Sequence, residues 1–473
     1  MPSLLAQEAP RRSSGVSESS DCYLAIMRRA DSEILVSEDR GRYRLPVLEI
    51  PKKQRAAPHL LPAIQRRFGL QTVCRFSVAT SQIEPGGRCV VLDVRNPDAS
   101  LSGEEFWLPV REIRWDEFEP PVRDALWEVF AKINAYATGR LSAKFVSPGW
   151  LDEVAVWTQS HLLSRGLELA GLSSQFNMGP DFALLRFETS GSGVWFKAVG
   201  HPNLREFDIT ARLAEFELPH VPEVIGTHED WRAWLMREAT GSALGEGGEP
   251  TEWETTARSL AELQLASITH VTPLLAAGCI DLRTTSLHDV IEPWLSGIAL
   301  LMDSQPEQPP RRLAIEDLRL IERHLRAACR QIQALSFPET LGHSDFNSGN
   351  VLVAGEQAVF LDWAQAHIGS PFLTLEYLLL LLRRAFPDNV ERLNAVREEY
   401  LRLWRPVCSA RQLARALEIA PLLAAFAYAV VCDRSQQEVP AFRTEFAGYF
   451  RSLARRIYAE AERLEQLSVP AGA

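Results

Sequence analysis

Short runs of β-forming residues at 23–27, 33–36, 72–78 and 89–94 are separated by turn clusters such as EPGG and RNPDAS, a pattern that predicts strands. A helix is expected over residues 60–68, and an amphipathic one over 121–137 that Thr138-Gly139 would stop. A further helix over 150–167 precedes strands at 174–177, 182–188 and 194–199, the last two joined by TSGSG at 189–193. A helix over 203–216 and strands at 223–227 and 231–237 complete a five-stranded antiparallel layer with one helix against it. From residue 249 the pattern is helical almost throughout. Only 343–363 interrupts it, with two compact β runs, VLVA and AVFL.

The fold class that follows is α+β. At 473 residues the chain exceeds the roughly 250–300 at which one core stops growing. The pattern divides into a loose tail over 1–20, an α/β domain over 21–145, a small antiparallel β lobe over 146–240 and a larger helical lobe over 241–473. With 50 basic against 61 acidic residues the net charge is -11, which argues against a nucleic-acid partner. Seven cysteines with no C-x-x-C pair read as buried thiols of a reducing compartment. The N-terminus lacks the apolar run of about 7–15 residues of a signal peptide, and the runs at 378–382 and 421–431 fall short of the roughly 20 that span a bilayer. A cytoplasmic protein without a membrane partner is expected. The pattern leaves the oligomeric state open.

The most informative segment is LGHSDFNSGNVLVAGEQAVFLDW. Phosphoryl transfer from ATP needs a carboxylate to orient and deprotonate the attacking hydroxyl, and oxygen ligands for Mg²⁺ on the phosphates. Asp345, Asn350 and Asp362 supply that set, and a hairpin between them would return the second acid beside the first. Either acid alone would more simply cap a helix or end a strand.

This segment resembles the catalytic loop of the aminoglycoside phosphotransferase and choline kinase superfamily, relatives of the protein kinases, which usually reads H-G-D-x-x-x-x-N. The resemblance covers about residue 150 to the C-terminus and implies a two-lobed protein-kinase-like fold using ATP and Mg²⁺. It implies Asp345 as catalytic base, Asn350 and Asp362 as metal ligands, and His343 packed beneath the loop. Ser344 replaces the usual glycine, and Ser370 and Thr374 stand where the family often has acids, which puts the bracing role of those acids in doubt. Upstream, in VWFKAVGHPNLREFDITARLAEF, Lys197 ends an apolar strand and would reach the α- and β-phosphates, aimed by Glu206 of the following helix. Glu215 is the alternative partner, and a snorkelling edge-strand lysine the alternative role. Gly191 and Gly193 read as a structural turn, so the loop over the phosphates falls at 177–181, where Gly179 is the glycine. AWLMREATG resembles the strand and hinge that hold adenine, around Arg237, Glu238 and Ala239. The implied activity moves the γ-phosphate of ATP to a hydroxyl of a small molecule. The alternative is a catalytically silent, kinase-shaped nucleotide-binding or regulatory protein.

Residues 22–115 resemble a Nudix fold through LAIMRR, RYRLPVLEIP, a helix ending AIQRRFGL, and EFWLPVREI. Aligned on Gly69-Leu70, the positions of the metal-binding glutamates carry Pro62, Ala63, Arg66 and Arg67, which cannot hold a divalent cation. The resemblance therefore implies a degenerate module, with the two arginines either meeting an anion or forming a solvated helix face.

Overall fold

The computed structural model describes residues 19–51, 55–79, 87–101, 103–141, 144–177, 179, 181–245, 249–307, 309–435 and 444–468. Of the expected tail, residues 1–18 lie outside the described residues, as does most of the EPGG turn, while Ser19 and Ser20 open the first strand. The chain falls into two compact units. One holds the described residues up to Phe207 together with Glu223–Glu238, the other Asp208–Pro222 and Ala239 onward.

In the first unit, strands β1 (Ser19–Arg28), β2 (Glu33–Asp39), β3 (Arg42–Arg44) and β4 (Val47–Pro51) lead to helix α1 (Ala57–Phe68). Strands β5 (Thr72–Ala79), β6 (Arg88–Val94) and β7 (Phe106–Pro109) and helix α2 (Pro120–Ala137) follow. Among the described residues these strands form one seven-stranded sheet, ordered β3-β2-β1-β6-β5, with β4 also on β1 and β7 on β2. Strand β1 runs parallel to β6 and antiparallel to β2 and β4. One face buries Cys22, Leu24, Ile26 and Val90 with Leu60, Ile64 and Phe68 of α1. The other buries Ala25, Met27, Cys89 and Val91 with Leu126 and Val129 of α2. A sheet covered on both faces needs unbroken apolar strands, which is why YLAIM and CVVL show no polar alternation.

Helix α3 (Trp150–Leu163) ends four residues earlier than the pattern predicts, where the chain turns through Gly166 at φ 69°. Strands β8 (Leu169–Asn177), β9 (Phe182–Thr189) and β10 (Val194–Val199), helix α4 (Arg205–Glu215), and strands β11 (Val224–His228) and β12 (Ala233–Arg237) complete the segment. These strands give the expected antiparallel five-stranded sheet, ordered β11-β12-β10-β9-β8. Here alternation holds. Leu185, Phe187, Val194, Phe196 and Leu235 share a core with Trp150, Leu151 and Val154 of α3, while Trp195, Lys197 and Val199 lie on the opposite face of β10. The two sheets are stitched at their edges. The buried Gln175 amide donates to the Cys74 carbonyl at 2.7 Å and accepts from its N–H at 2.8 Å, where β5 bulges around Arg75. Arg75, 2 % exposed, donates to the Val146 carbonyl at 2.6 Å and pairs with Asp31 at 2.5 Å. Residues on both sides of position 145 thus belong to one unit.

The second unit adds strand β13 (Ser242–Ala243), helices α5 (Pro250–Ser267) and α6 (Val271–Ala276), strand β14 (Ile280–Leu282), and helices α7 (Thr284–Asp303) and α8 (Ile315–Leu335). Strands β15 (Thr340–His343), β16 (Val351–Ala354), β17 (Gln357–Phe360) and β18 (Ala366–Gly369) precede helices α9 (Phe372–Ala385), α10 (Val390–Trp404), α11 (Ala410–Ser435) and α12 (Thr444–Ser468). The hairpin of β16 and β17 is as expected, with β13 on its edge. The sheet β14-β18-β15 is not, because strands of three or four largely buried residues carry no alternation to read. Helix α11 is long and apolar enough to cross a bilayer, by length and composition only, and 72 % of its most apolar stretch is buried inside the fold, as in a core helix.

Candidate functional site

Strand β15 delivers His343 to a buried position, 2 % exposed. Its Nε2 lies 2.8 Å from the Leu361 carbonyl, an acceptor, so this nitrogen carries the proton and the buried Nδ1, which has no hydrogen-bond partner, is bare. Burial pushes the imidazole below its ordinary pKa, in keeping with a neutral ring. The ring packs against Trp363 at 4.9 Å and edge-on to Phe346 at 6.1 Å. Behind the loop, the Thr374 hydroxyl accepts from the His343 amide at 3.0 Å. Ser344 Oγ meets His367 Nδ1 at 2.8 Å, and burial pushes His367 down to about 3. The loop is thus braced by two hydroxyls, Thr374 at a position where the resemblance expects an acid and Ser344 where it expects glycine.

Asp345 follows, half-buried and held on both oxygens. Asn347 Nδ2 donates to one and Asn350 Nδ2 to the other, each at 3.3 Å, and Asn350 also donates to the Asp345 carbonyl at 2.9 Å. Burial raises the Asp345 pKa above the usual value, and the nearby charge of Asp362 raises it further. That proximity comes from the hairpin. Val351 pairs with Phe360, and the Leu361 amide donates to the Asn350 carbonyl at 2.8 Å, so the next residue, exposed Asp362, returns to the loop. Asp362 takes φ 62° and ψ 74°, a left-handed conformation that Asp tolerates better than most side chains. Asn347 was not singled out in the sequence. Its oxygen accepts from Gly349 N at 3.0 Å, an Asx turn that the string DFNSGN could have signalled.

The donor set is hard oxygen. Among the described residues no group of three or more His, Cys, Asp or Glu could hold a metal, so a cation here would have carboxylates, the Asn350 amide oxygen and water. That suits Mg²⁺, which dehydrates reluctantly and is held through one or two carboxylates.

The other unit carries the lysine. Lys197 stands on β10, in the middle of its sheet and not at an edge, and its Nζ lies 2.5 Å from Glu206 Oε1 near the start of α4. The side chains are 8 % and 3 % exposed, and the rings of Phe182 and Trp234 stand 5.5 and 5.6 Å from the ammonium. Glu215, the alternative partner, pairs instead with Arg212 at 2.5 Å. Gly179 lies between β8 and β9 with φ 138°, a conformation open to glycine. Gly191 and Gly193 fall in the turn between β9 and β10. At the end of β12, Arg237 pairs with Glu223 at 2.7 Å, and the next residue, Glu238, accepts from Arg186 at 2.5 and 2.8 Å and from Trp195 Nε1 at 3.1 Å. The structure thus gathers His343, Asp345, Asn350 and Asp362 in one loop, and Lys197 with Glu206 in one ion pair. The two sets belong to different units.

A model of a phosphotransferase enzyme family matches residues 199–415. No curated protein matches the chain. Among solved structures, the chain is similar to a macrolide 2'-phosphotransferase from Brachybacterium faecium, at 17 % identity and TM-score 0.40, over 61 % of this chain and 97 % of that one. A choline kinase from Cryptosporidium parvum Iowa II matches at 13 % identity and TM-score 0.46, over 68 % and 98 %. An ethanolamine kinase from Plasmodium vivax matches at 12 % and 0.42, over 64 % and 85 %.

Proposed function

We propose that the chain moves the γ-phosphoryl group of ATP to a hydroxyl of a small molecule. The observation that carries this reading is Asp345 held by two amides, with its pKa raised, beside a second carboxylate within the matched segment. A base must be free of its proton near neutral pH yet willing to take one, and a raised carboxylate meets that need better than an ordinary one. Asp345 would accept the acceptor's O–H proton as that oxygen attacks the γ-phosphorus and the bond to the β-phosphate oxygen breaks, releasing ADP. Asn350 and Asp362 would hold Mg²⁺, which when bound neutralises charge on the phosphates. Lys197, aimed by Glu206, would pair with the α- and β-phosphates.

Residues 21–145 are proposed as a Nudix-like module that has lost its metal site. A mixed sheet covered by a helix on each face supports this, as do the exposed arginines ending α1. Arg66 lies in solvent, while Arg67 donates to the Val47 carbonyl at 3.2 Å and pairs with Glu105 at 3.4 Å.

The test is ATP consumption across a panel of hydroxylated metabolites and aminoglycosides, for wild type and Asp345→Asn. Turnover with at least one acceptor, lost by several orders of magnitude in the variant, is expected. An equal rate in both would remove Asp345 from the reaction.

A further inference from the structure

The N-terminal module reaches the lysine-bearing face of the five-stranded sheet, within one compact unit of the chain. Ala56 and Ala57 are buried where α1 begins, and α1 packs along β8, the outermost strand of that sheet. The Gln175 amide ties the same edge to Cys74, so the chain entering α1 is pinned beside it. Arg55 is the residue just before this anchor. It is exposed, yet its guanidinium is turned onto Phe182, with Cζ 5.9 Å from the ring centroid. Phe182 opens β9 opposite Val199 of β10, which lies two residues beyond Lys197 and so on the lysine's face. The Lys197 ammonium stands 5.5 Å from the same centroid. One ring thus has two cations beside it, one from the N-terminal module and one from the five-stranded sheet. They differ in what neutralises them. Lys197 is paired with Glu206, whereas among the described residues Arg55 forms no ion pair and no hydrogen bond, not even with Asp181, the acid next to Phe182.

We propose that Arg55 is a binding residue for the triphosphate of the nucleotide donor, lent by the N-terminal module to the site on the five-stranded sheet. This rests on the phosphate role proposed above for Lys197. A triphosphate carries charged oxygens along its length and can meet the buried ammonium and the exposed guanidinium together. Glu206 already balances the ammonium. Arg55 brings a charge that nothing balances, and a fork of N–H donors whose geometry suits non-bridging phosphate oxygens. With Pro62, Ala63, Arg66 and Arg67 at the positions where the resemblance expects metal ligands, this contact gives the module a part in the reaction without chemistry of its own.

The experiment compares calorimetric titrations of MgATP, magnesium tripolyphosphate and adenosine into the full chain. Arg55→Ala is expected to weaken MgATP and tripolyphosphate by about tenfold or more, the usual worth of one hydrogen bond to a charged group. It should leave adenosine affinity and Tm unchanged, because the side chain is exposed. Arg55→Lys keeps the charge without the fork and should recover part of the loss, while Arg55→Glu should exceed it. Equal tripolyphosphate affinity in wild type and Arg55→Ala overturns the proposal, since the guanidinium would then do no more than cover Phe182. So does a loss that falls on adenosine as heavily as on MgATP, which would reach the site through the ring. Failure of the phosphate reading looks different: Lys197→Ala would then leave tripolyphosphate affinity unchanged.

Discussion

Removing Glu206 should expose how the Lys197 pair divides between stability and function. At 2.5 Å and an effective dielectric of about 20, the two charges attract by about 7 kcal/mol. Dehydrating each ion opposes this by several kcal/mol, so the intact pair adds little net stability. Glu206→Ala breaks a buried pair by removing one partner, which costs about 3–5 kcal/mol, and leaves the ammonium beside Phe182 and Trp234. For domains of about 150–250 residues each kcal/mol moves Tm by about 2–4 °C, so a fall of about 6–20 °C is expected in scanning calorimetry. Replacing both partners, Lys197→Met with Glu206→Leu, should restore Tm to within a few degrees while ATP affinity stays lost. A shift below about 2 °C in the single variant would show that water reaches the ammonium, and undiminished ATP binding by the double variant would remove Lys197 from the phosphates.

Asp345→Asn should unfold at higher temperature than wild type at pH 7. The folded state raises the pKa of this acid, so its contribution is favourable when protonated and is lost as pH rises through the folded value; the gap between variant and wild type should close below the usual value of 3.8, and an equal gap at pH 3 and 7 would refute the reasoning. Gln175→Leu should lower stability by about 2–5 kcal/mol in urea titrations, because it strands both the N–H and the carbonyl of buried Cys74; a loss under about 0.5 kcal/mol would mean the sheet edges do not depend on that amide. Thr374→Val should lower kcat more than it raises the KM for ATP, since it removes the acceptor for the His343 amide and loosens the loop; an unchanged kcat would make the hydroxyl merely structural.

What the sequence disclosed was local. The loop and its hairpin could be read because turn residues, two β runs and the polar identities all fall within residues 341–363. Lys197 and Glu206 could be paired because they are nine residues apart across one strand and one helix. Strand β8 was read short, from residue 174, because register shifts along its pairing with β9 break the period-two signal that its first residues would otherwise show. Gln175 could not be foreseen as a stitch between sheets, since its partner lies 101 residues away and a side chain bonding to a main chain leaves no mark on the partner's identity. The Thr374 brace was hidden for a related reason: the acids expected there were missing, and nothing local says that a hydroxyl 31 residues on accepts the His343 amide.

The left-handed turn at Asp362 sets how this chain could drift. At φ 62° only a few side chains sit without strain, chiefly Gly, Asn and Asp, and an Asp codon lies a single base from a codon for each of the other two. A lineage under no pressure to keep the carboxylate would therefore lose it first to Asn or Gly, with the backbone undisturbed and the hairpin intact. If Asp362 holds the metal as proposed, a form that keeps the reaction and one that folds without it stand one mutational step apart on this scaffold, and residue 362 is the first position to read in any relative.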